Sequence, residues 1–249
     1  MRICYDNNSW CRLNKICIRG FTMITLIGVG HVFDIGREIE NIILSRKPGV
    51  VGVELDPARY RALTSREPKK DVPFVYRMLA VFQQAIAKKY GVSVGSEMLA
   101  AINTAKKLGI GIAFIDMDSG YVFSKIWNGM GFSEKIKLLF SGAAGLFVRK
   151  EMVDKEIEKF ETDYNHYMEI FGSEFPILKK TLIDERNTYM AEKIRELSKK
   201  YEKIAAVVGD GHIEGMKKIL DDLNPEIIRL STLRKTSPGS VSVGYEYKE

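Results

Sequence analysis

Short apolar runs closed by glycine alternate with stretches of helical period along this chain. "MITLIGVG" at 23 to 30 has one polar residue and ends in glycines. That reads as a strand buried on both faces. "DIGREIENIILSRKP" then changes period. Ile35, Ile39, Ile42 and Ile43 fall on one helical face, with Asp34 as the expected N-cap and Pro48 as the stop. "GVVGVELD" is a second strand, and a strand–helix–strand unit implies parallel strands. From 73 to 108 the pattern is helical, broken near Gly91 to Gly95, and "LGIGIAFIDMD" at 108 to 118 is a third strand. Ser133 is placed as the cap of the next helix. Residues 150 to 202 read as helix interrupted at "FGSEFP". "KIAAVVGDGH" is a fourth strand, "IEGMKKILDDLNP" a helix, and "EIIRLSTL" a fifth strand. The strictly alternating "SVSVGYEYK" suggests an edge strand.

Strand, Gly-x-Gly-His, helix, proline and strand recur at 23 to 54 and at 204 to 231. The expected fold class is therefore α/β: a pseudo-symmetric core of two βαβ units, a mixed, mostly parallel sheet, and a long helical insertion at about 119 to 202. One domain over 23 to 249 is expected, with residues 1 to 22 as a non-core leader or upstream extension. Both Gly-x-Gly-His turns then leave the carboxyl edge of the sheet, where open α/β folds place their ligands.

Composition bounds the function more than the fold. Hydrophobic content of 45% and charge of 28% describe an ordinary globular chain. The formal charge is +6, but Arg2, Arg12, Lys15 and Arg19 against Asp6 put half of that excess in the leader. The remainder does not predict nucleic-acid binding. No apolar run reaches the roughly 18 residues of a membrane span. All three cysteines, Cys4, Cys11 and Cys17, lie in the leader, so the body has neither a cysteine nucleophile nor an internal disulfide. A reducing, cytoplasmic setting is expected. Apolar positions in "YVFSKIWNGMGF" and "FSGAAGLFV" exceed what one sheet can cover, which predicts a symmetric homodimer.

The candidate chemistry gathers at strand ends. His31 and His212 are two of only three histidines, and both follow Gly-x-Gly. Glu54 ends the second strand. Asp56, just before Pro57, suits a helix cap and leaves Glu54 free. Two imidazoles and a carboxylate can ligate a divalent transition metal, or run metal-free hydrolysis with an imidazole as base. Arg59 either orients a carboxylate or oxyanion or forms an exposed ion pair. In "LIDERNTYMAEKI", Arg186 and Asn187 lie on a helix too polar all round to face water only. One of Asp116 and Asp118 is expected to cap the next segment. His166, mid-helix, reads as a surface or dimer-contact residue. There is no Gly-x-Gly-x-x-Gly, Walker lysine or serine elbow.

Taken together, Gly28-Val29-Gly30-His31, Glu54 in "VELD", "DERN" at 184 to 187 and Gly209-Asp210-Gly211-His212 resemble the TraB/PrgY proteins. That family is similar to the Tiki metalloproteases and to ChaN-like and erythromycin-esterase-like folds. The resemblance covers Met23 to about Leu230. It implies a divalent-metal peptidase site at His31, Glu54 and His212, with manganese or cobalt preferred and a peptide or protein as substrate. Arg59, Arg186 and Asn187 would position that substrate. PrgY-like limitation of a peptide signal, without catalysis, is the alternative. Longer relatives carry C-terminal membrane helices, and no transmembrane segment is expected within these 249 residues. Relatives commonly have Asp-Arg-Asp where this chain has Asp116-Met117-Asp118.

Overall fold

The computed structural model describes residues 22–30, 33–64, 95–137 and 163–236. Five strands form one sheet: β1 (Met23–Val29), β2 (Val50–Val53), β3 (Gly111–Phe114), β4 (Lys203–Gly209) and β5 (Glu226–Ile228). Their order is β3-β2-β4-β1-β5, and every pairing is parallel. Among the described residues the sheet is thus wholly parallel rather than mixed. The expected edge strand in the C-terminal tail lies outside the described residues.

β1 and β4 occupy the middle of the sheet and are buried along nearly their whole length. Their side chains divide with the two-residue period of a strand. Ile27 and Val29 join Ala205 and Val207 on one face, while Ile24 and Leu26 join Ile204, Ala206 and Val208 on the other. The register sets Ile27 beside Val207 and Val29 beside Gly209. Both cores are fully dry at Leu26 and Ile27, so truncating either to alanine should cost about 2–5 kcal/mol.

Helices cover both faces. α1 (Gly36–Arg46) and α3 (Ser96–Lys107) pack on the Ile27 face. The other face is covered by α7 (Glu185–Ser198) and α8 (Asp210–Ile219). The two expected βαβ units interleave: β4 separates β1 from β2, and β1 separates β4 from β5.

The insertion supplies α4 (Ser119–Gly129), α5 (Tyr164–Glu174) and the single turn α6 (Pro176–Lys179). A π-helical turn, Lys180–Asp184, joins α6 to α7. Val122, Ile126, Met130 and Leu178 make a separate small core, against which Met117 and Phe171 pack. The break at Phe175, inside "FGSEFP", results from Pro176, which cannot donate to a continuing helix.

Several local expectations are corrected. Asp34 does not cap α1; Ile35 occupies the cap and no side chain bonds there. Pro48 comes after α1, but the helix is closed one residue earlier by Lys47 in the left-handed conformation (φ 48°). Ser133 lies inside a helix that begins at 132, so the cap position falls one residue before the helix, at Gly131, whose N–H donates to Glu134. "EIIRLSTL" is strand only to Ile228, because Leu230 opens α9 (Leu230–Thr236) and buries its side chain against the Ile27 face. The pattern at the other caps holds. Asp56 Oδ1 accepts from Ala58 N–H (2.7 Å) and Arg59 N–H (2.9 Å) at the start of α2 (Pro57–Thr64). Asp118 accepts from Tyr121 N–H at 2.8 Å and caps α4.

Candidate functional site

Glu54, Asp116 and the Gly209–His212 turn all lie at or just past the carboxyl ends of strands. A parallel sheet brings those ends to one edge. Glu54 comes directly after β2 and is 4% exposed. One oxygen, Oε2, accepts from Gly209 N–H at 2.5 Å, which anchors the carboxylate at the start of α8. A negative charge is favoured there by the unpaired amides of the helix terminus. The other oxygen, Oε1, accepts from Arg186 Nη2 and lies 3.5 Å from His212 Nε2.

Arg186 reaches this edge from the first turn of α7, just past the π-helical turn. It grips Asp116 with two parallel bonds, Nε to Oδ1 at 2.9 Å and Nη2 to Oδ2 at 2.8 Å. Such a fork is the strong geometry for an arginine–carboxylate pair. Its Nη1 donates to the Leu182 carbonyl at 3.2 Å. Burial works against the guanidinium charge, but Glu54 and Asp116 outweigh it and raise its pKa further. Arg186 is thus a permanent cation between two buried carboxylates. Arg59 adds a second cation at Asp116, with Nη1 3.2 Å from Oδ2. Asp116, with Asp118 one of two candidate caps in the sequence, proves to be the anchor for both arginines.

His212, in the first turn of α8, is 6% exposed. Its Nδ1 lies 2.8 Å from Asn187 Oδ1. A carbonyl oxygen can only accept, so Nδ1 donates to it, and Nε2 is turned towards Glu54. Asn187 is 3% exposed on α7, one residue from Arg186. The polar stretch "DERN" therefore points two groups inward, Arg186 to Glu54 and Asp116, and Asn187 to His212. His31 lies outside the described residues. The strand leading to it ends with Val29 beside Gly209, so the two Gly-x-Gly segments, at 28–30 and 209–211, lie at the ends of adjacent strands. Among the described residues no group of three histidines, cysteines or acids could hold a metal ion.

The model of the TraB/PrgY/gumN family matches residues 15–228. The uncharacterized protein MJ1365 of Methanocaldococcus jannaschii is 34% identical over 213 residues, which are 80% of this chain and 54% of that protein. The chain belongs to the TraB/PrgY/gumN family. It spans about half the length of the curated relative it matches. No helix among the described residues of this TraB-family chain is long and apolar enough to cross a membrane.

A second arginine clamp lies at the same edge, and sequence reasoning missed it. Asp210, the third-from-last residue of "GDGH", accepts from Arg229 Nε (3.0 and 3.1 Å), Arg229 Nη2 (2.6 Å) and Leu230 N–H (2.9 Å). Arg229 also donates to Glu214 at 2.7 Å. The available signal was a lone arginine directly after the apolar "EII" strand. Gly28 is needed at this place, since a Cβ there would lie 2.2 Å from Asp210 Oδ1. The first glycine of the first motif thus serves the aspartate of the second.

An open cleft of about 1070 Å³ lies beside the site, walled by Tyr164, Met168, Lys179, Asp184, Asn187 and Gly215. Glu54 and His212 do not line it; Asn187 is the residue shared by cleft and site. Tyr164 donates to the Gly211 carbonyl at 3.2 Å, tying α5 to the histidine turn. Burial, with Asp184 and Glu214 nearby, pushes the Tyr164 hydroxyl pKa up and keeps it a donor. His166, by contrast, is exposed on α5.

Proposed function

We propose that this protein is a metal-dependent hydrolase of the Tiki-like kind, acting on peptides. The observation that carries the reading is His212, with Nδ1 fixed by Asn187 and Nε2 aimed at Glu54 Oε1 from 3.5 Å. Two ligand atoms at about 2.1 Å from a tetrahedral ion stand roughly 3.4 Å apart. Glu54 and His212 therefore fit a shared divalent cation, with the asparagine bond giving the ring the outer support that metal-bound histidines use. His31 is the proposed third ligand. Manganese or cobalt is the expected ion. When bound, it would polarise a carbonyl and make water acidic enough to attack it near neutral pH.

The chain's own residues have distinct parts in this reading. Glu54 supplies the charge, and Gly209 N–H and Arg186 hold it in place. Asp116 keeps Arg186 from taking Glu54 over entirely, because the guanidinium fork is turned towards Asp116. Arg59, 35% exposed in its side chain, is the basic group best able to reach a substrate. The homodimer belongs to the same proposal, supported by Tyr121 (53% exposed) and Phe132 (80% exposed) on the insertion.

The test is calorimetric titration of the full chain with Mn²⁺ and Co²⁺, beside hydrolysis of a peptide library. Binding near micromolar, lost in His212→Ala and accompanied by cleavage, is expected. Cleavage that survives exhaustive chelation would move the reading to a metal-free imidazole base. Binding of peptides without cleavage or metal uptake would move it to a regulatory protein. Glu54→Gln would be a clean charge test at an exposed strand end, but it is not one here. The carboxylate is buried and ion-paired, so the variant should also lose about 1–3 kcal/mol of stability.

A further inference from the structure

Gly215 lies three residues beyond His212 on α8, hence on the same helical face. A Cβ built on it would lie 2.1 Å from Asn187 Nδ2 and 3.0 Å from Asn187 Cγ. The amide of Asn187 therefore occupies the space that any other residue at 215 would fill. The same amide offers its oxygen to His212 Nδ1 at 2.8 Å. Asn187 is buried, like Met190, Ala191 and Ile194, on the inner face of α7, so its side chain reaches the imidazole only along the track that Gly215 leaves open.

We infer that Gly215 and Asn187 are a positioning pair that sets the tautomer of His212. Gly215 admits the amide, the amide oxygen holds the proton on Nδ1, and Nε2 faces Glu54 with its lone pair. Without that bond the ring is free to carry its proton on Nε2, which would point a hydrogen at Glu54 and close the nitrogen to any electrophile. The chemical use of Nε2 rests on the proposed function; the placement of the proton does not.

The obstacle that alanine would meet is the tip of a flexible side chain, so Gly215→Ala should fold and turn Asn187 away. The experiment uses the full chain labelled with ¹⁵N-histidine, at a fixed pH where the rings are neutral and with no metal added. His212 is assigned by its loss in His212→Gln, which is simple with three histidines in the chain. Wild type should show the Nδ1–H form. Gly215→Ala should move the tautomer ratio towards Nε2–H by about fivefold, the bias that one neutral hydrogen bond sets. Asn187→Ala, which adds no volume, should make the same change even if Gly215→Ala folds poorly. The double variant should go no further than either single one. A wild-type ring in the Nε2–H form, or an unchanged ratio in both single variants, would overturn the inference. Expected ring spectra in a chain that neither binds Mn²⁺ nor cleaves peptides would leave this pair standing and remove the hydrolase. Metal uptake and cleavage with unchanged ratios would do the reverse.

Discussion

Two arginine clamps stand at the same edge of one sheet, and they do different things. Arg186 holds Glu54 and Asp116; Arg229 holds Asp210 and Glu214. The side chains of the first set are 12%, 4% and 3% exposed, those of the second 19%, 7% and 29%. The Arg229 clamp is sealed by a backbone amide, Leu230 N–H, and fastens the end of β5 to the start of α8. In the Arg186 clamp, one oxygen of Glu54 also faces an imidazole nitrogen. Identical chemistry thus serves as a fastening in one place and as the support of a candidate site in the other. What separates their roles is the neighbour of the carboxylate, while burial separates their strength.

The comparison breaks first if the arginines are removed. Arg186→Met removes the shared cation of two carboxylates that are 4% and 3% exposed, although Gly209 N–H stays on Glu54 and Arg59 on Asp116, and should cost about 3–5 kcal/mol. Arg229→Met leaves Asp210 its backbone donor and should cost about 1–3 kcal/mol. Urea unfolding of both variants measures the order, and an equal or reversed order would show that burial is not what distinguishes the clamps.

Glycine substitutions sharpen it next. Gly28→Ala drives a methyl into Asp210 Oδ1, which Arg229 and Leu230 pin in place, so the backbone must yield and about 1–3 kcal/mol should be lost. Gly215→Ala meets only a side-chain tip and should cost less. The melting temperatures of the two variants decide whether the Asp210 clamp is as rigid as its bonds imply.

Asp56 gives a smaller effect. Asparagine is ordinarily a good cap, but Asp56 Oδ2 also accepts from Ser119 N–H at 3.2 Å and ties the end of β2 to α4. An amide cannot accept on both sides, so Asp56→Asn should lose about 1 kcal/mol. Burial pushes the Asp56 pKa up, yet the bonds from Arg59, Ser119 and Ala58 outweigh it and the net shift is downward. Its stabilisation is therefore complete above the unfolded carboxylate pKa, near about 3.9, and fades as pH falls through the lower folded value. Acid titration of wild type against Asp56→Asn should show the gap narrowing only below about pH 4.

The smallest effect belongs to the opposite edge of the sheet. Arg46 bonds Glu226, whose pKa is lowered by that bond and, less so, by Thr25. The pair is well exposed, so Arg46→Ala should cost no more than about 1 kcal/mol and less at high salt. A loss as large as that of Arg229→Met would void the link between burial and strength.

Much of this architecture was legible in the chain itself. Apolar runs marked β1 to β4, and in β1, β2 and β4 their lack of alternation already meant burial on both faces, whereas β5 was read too far, into α9. The 3.6-residue period located α1, α3, α7 and α8. Pro57 after Asp56 announced a capped helix. The two Gly-x-Gly-His turns and Glu54 were visible because chemistry-bearing residues at strand ends stand out against apolar runs. Those signals are local: each depends on residues within one turn or one strand.

Tertiary structure alone decided which strands are neighbours, and so that β4 separates β1 from β2. Pairing joins residues as far apart as Thr25 and Glu226, and no local pattern encodes the register. The partners of each charge were equally hidden. Asp116 could not be told from Asp118 as the next cap, and nothing local marked Arg229 or Gly215. Their roles arise from atoms brought together by packing of α7 and α8 on the sheet, where burial turns each unmatched charge or amide into a cost that only one specific partner removes.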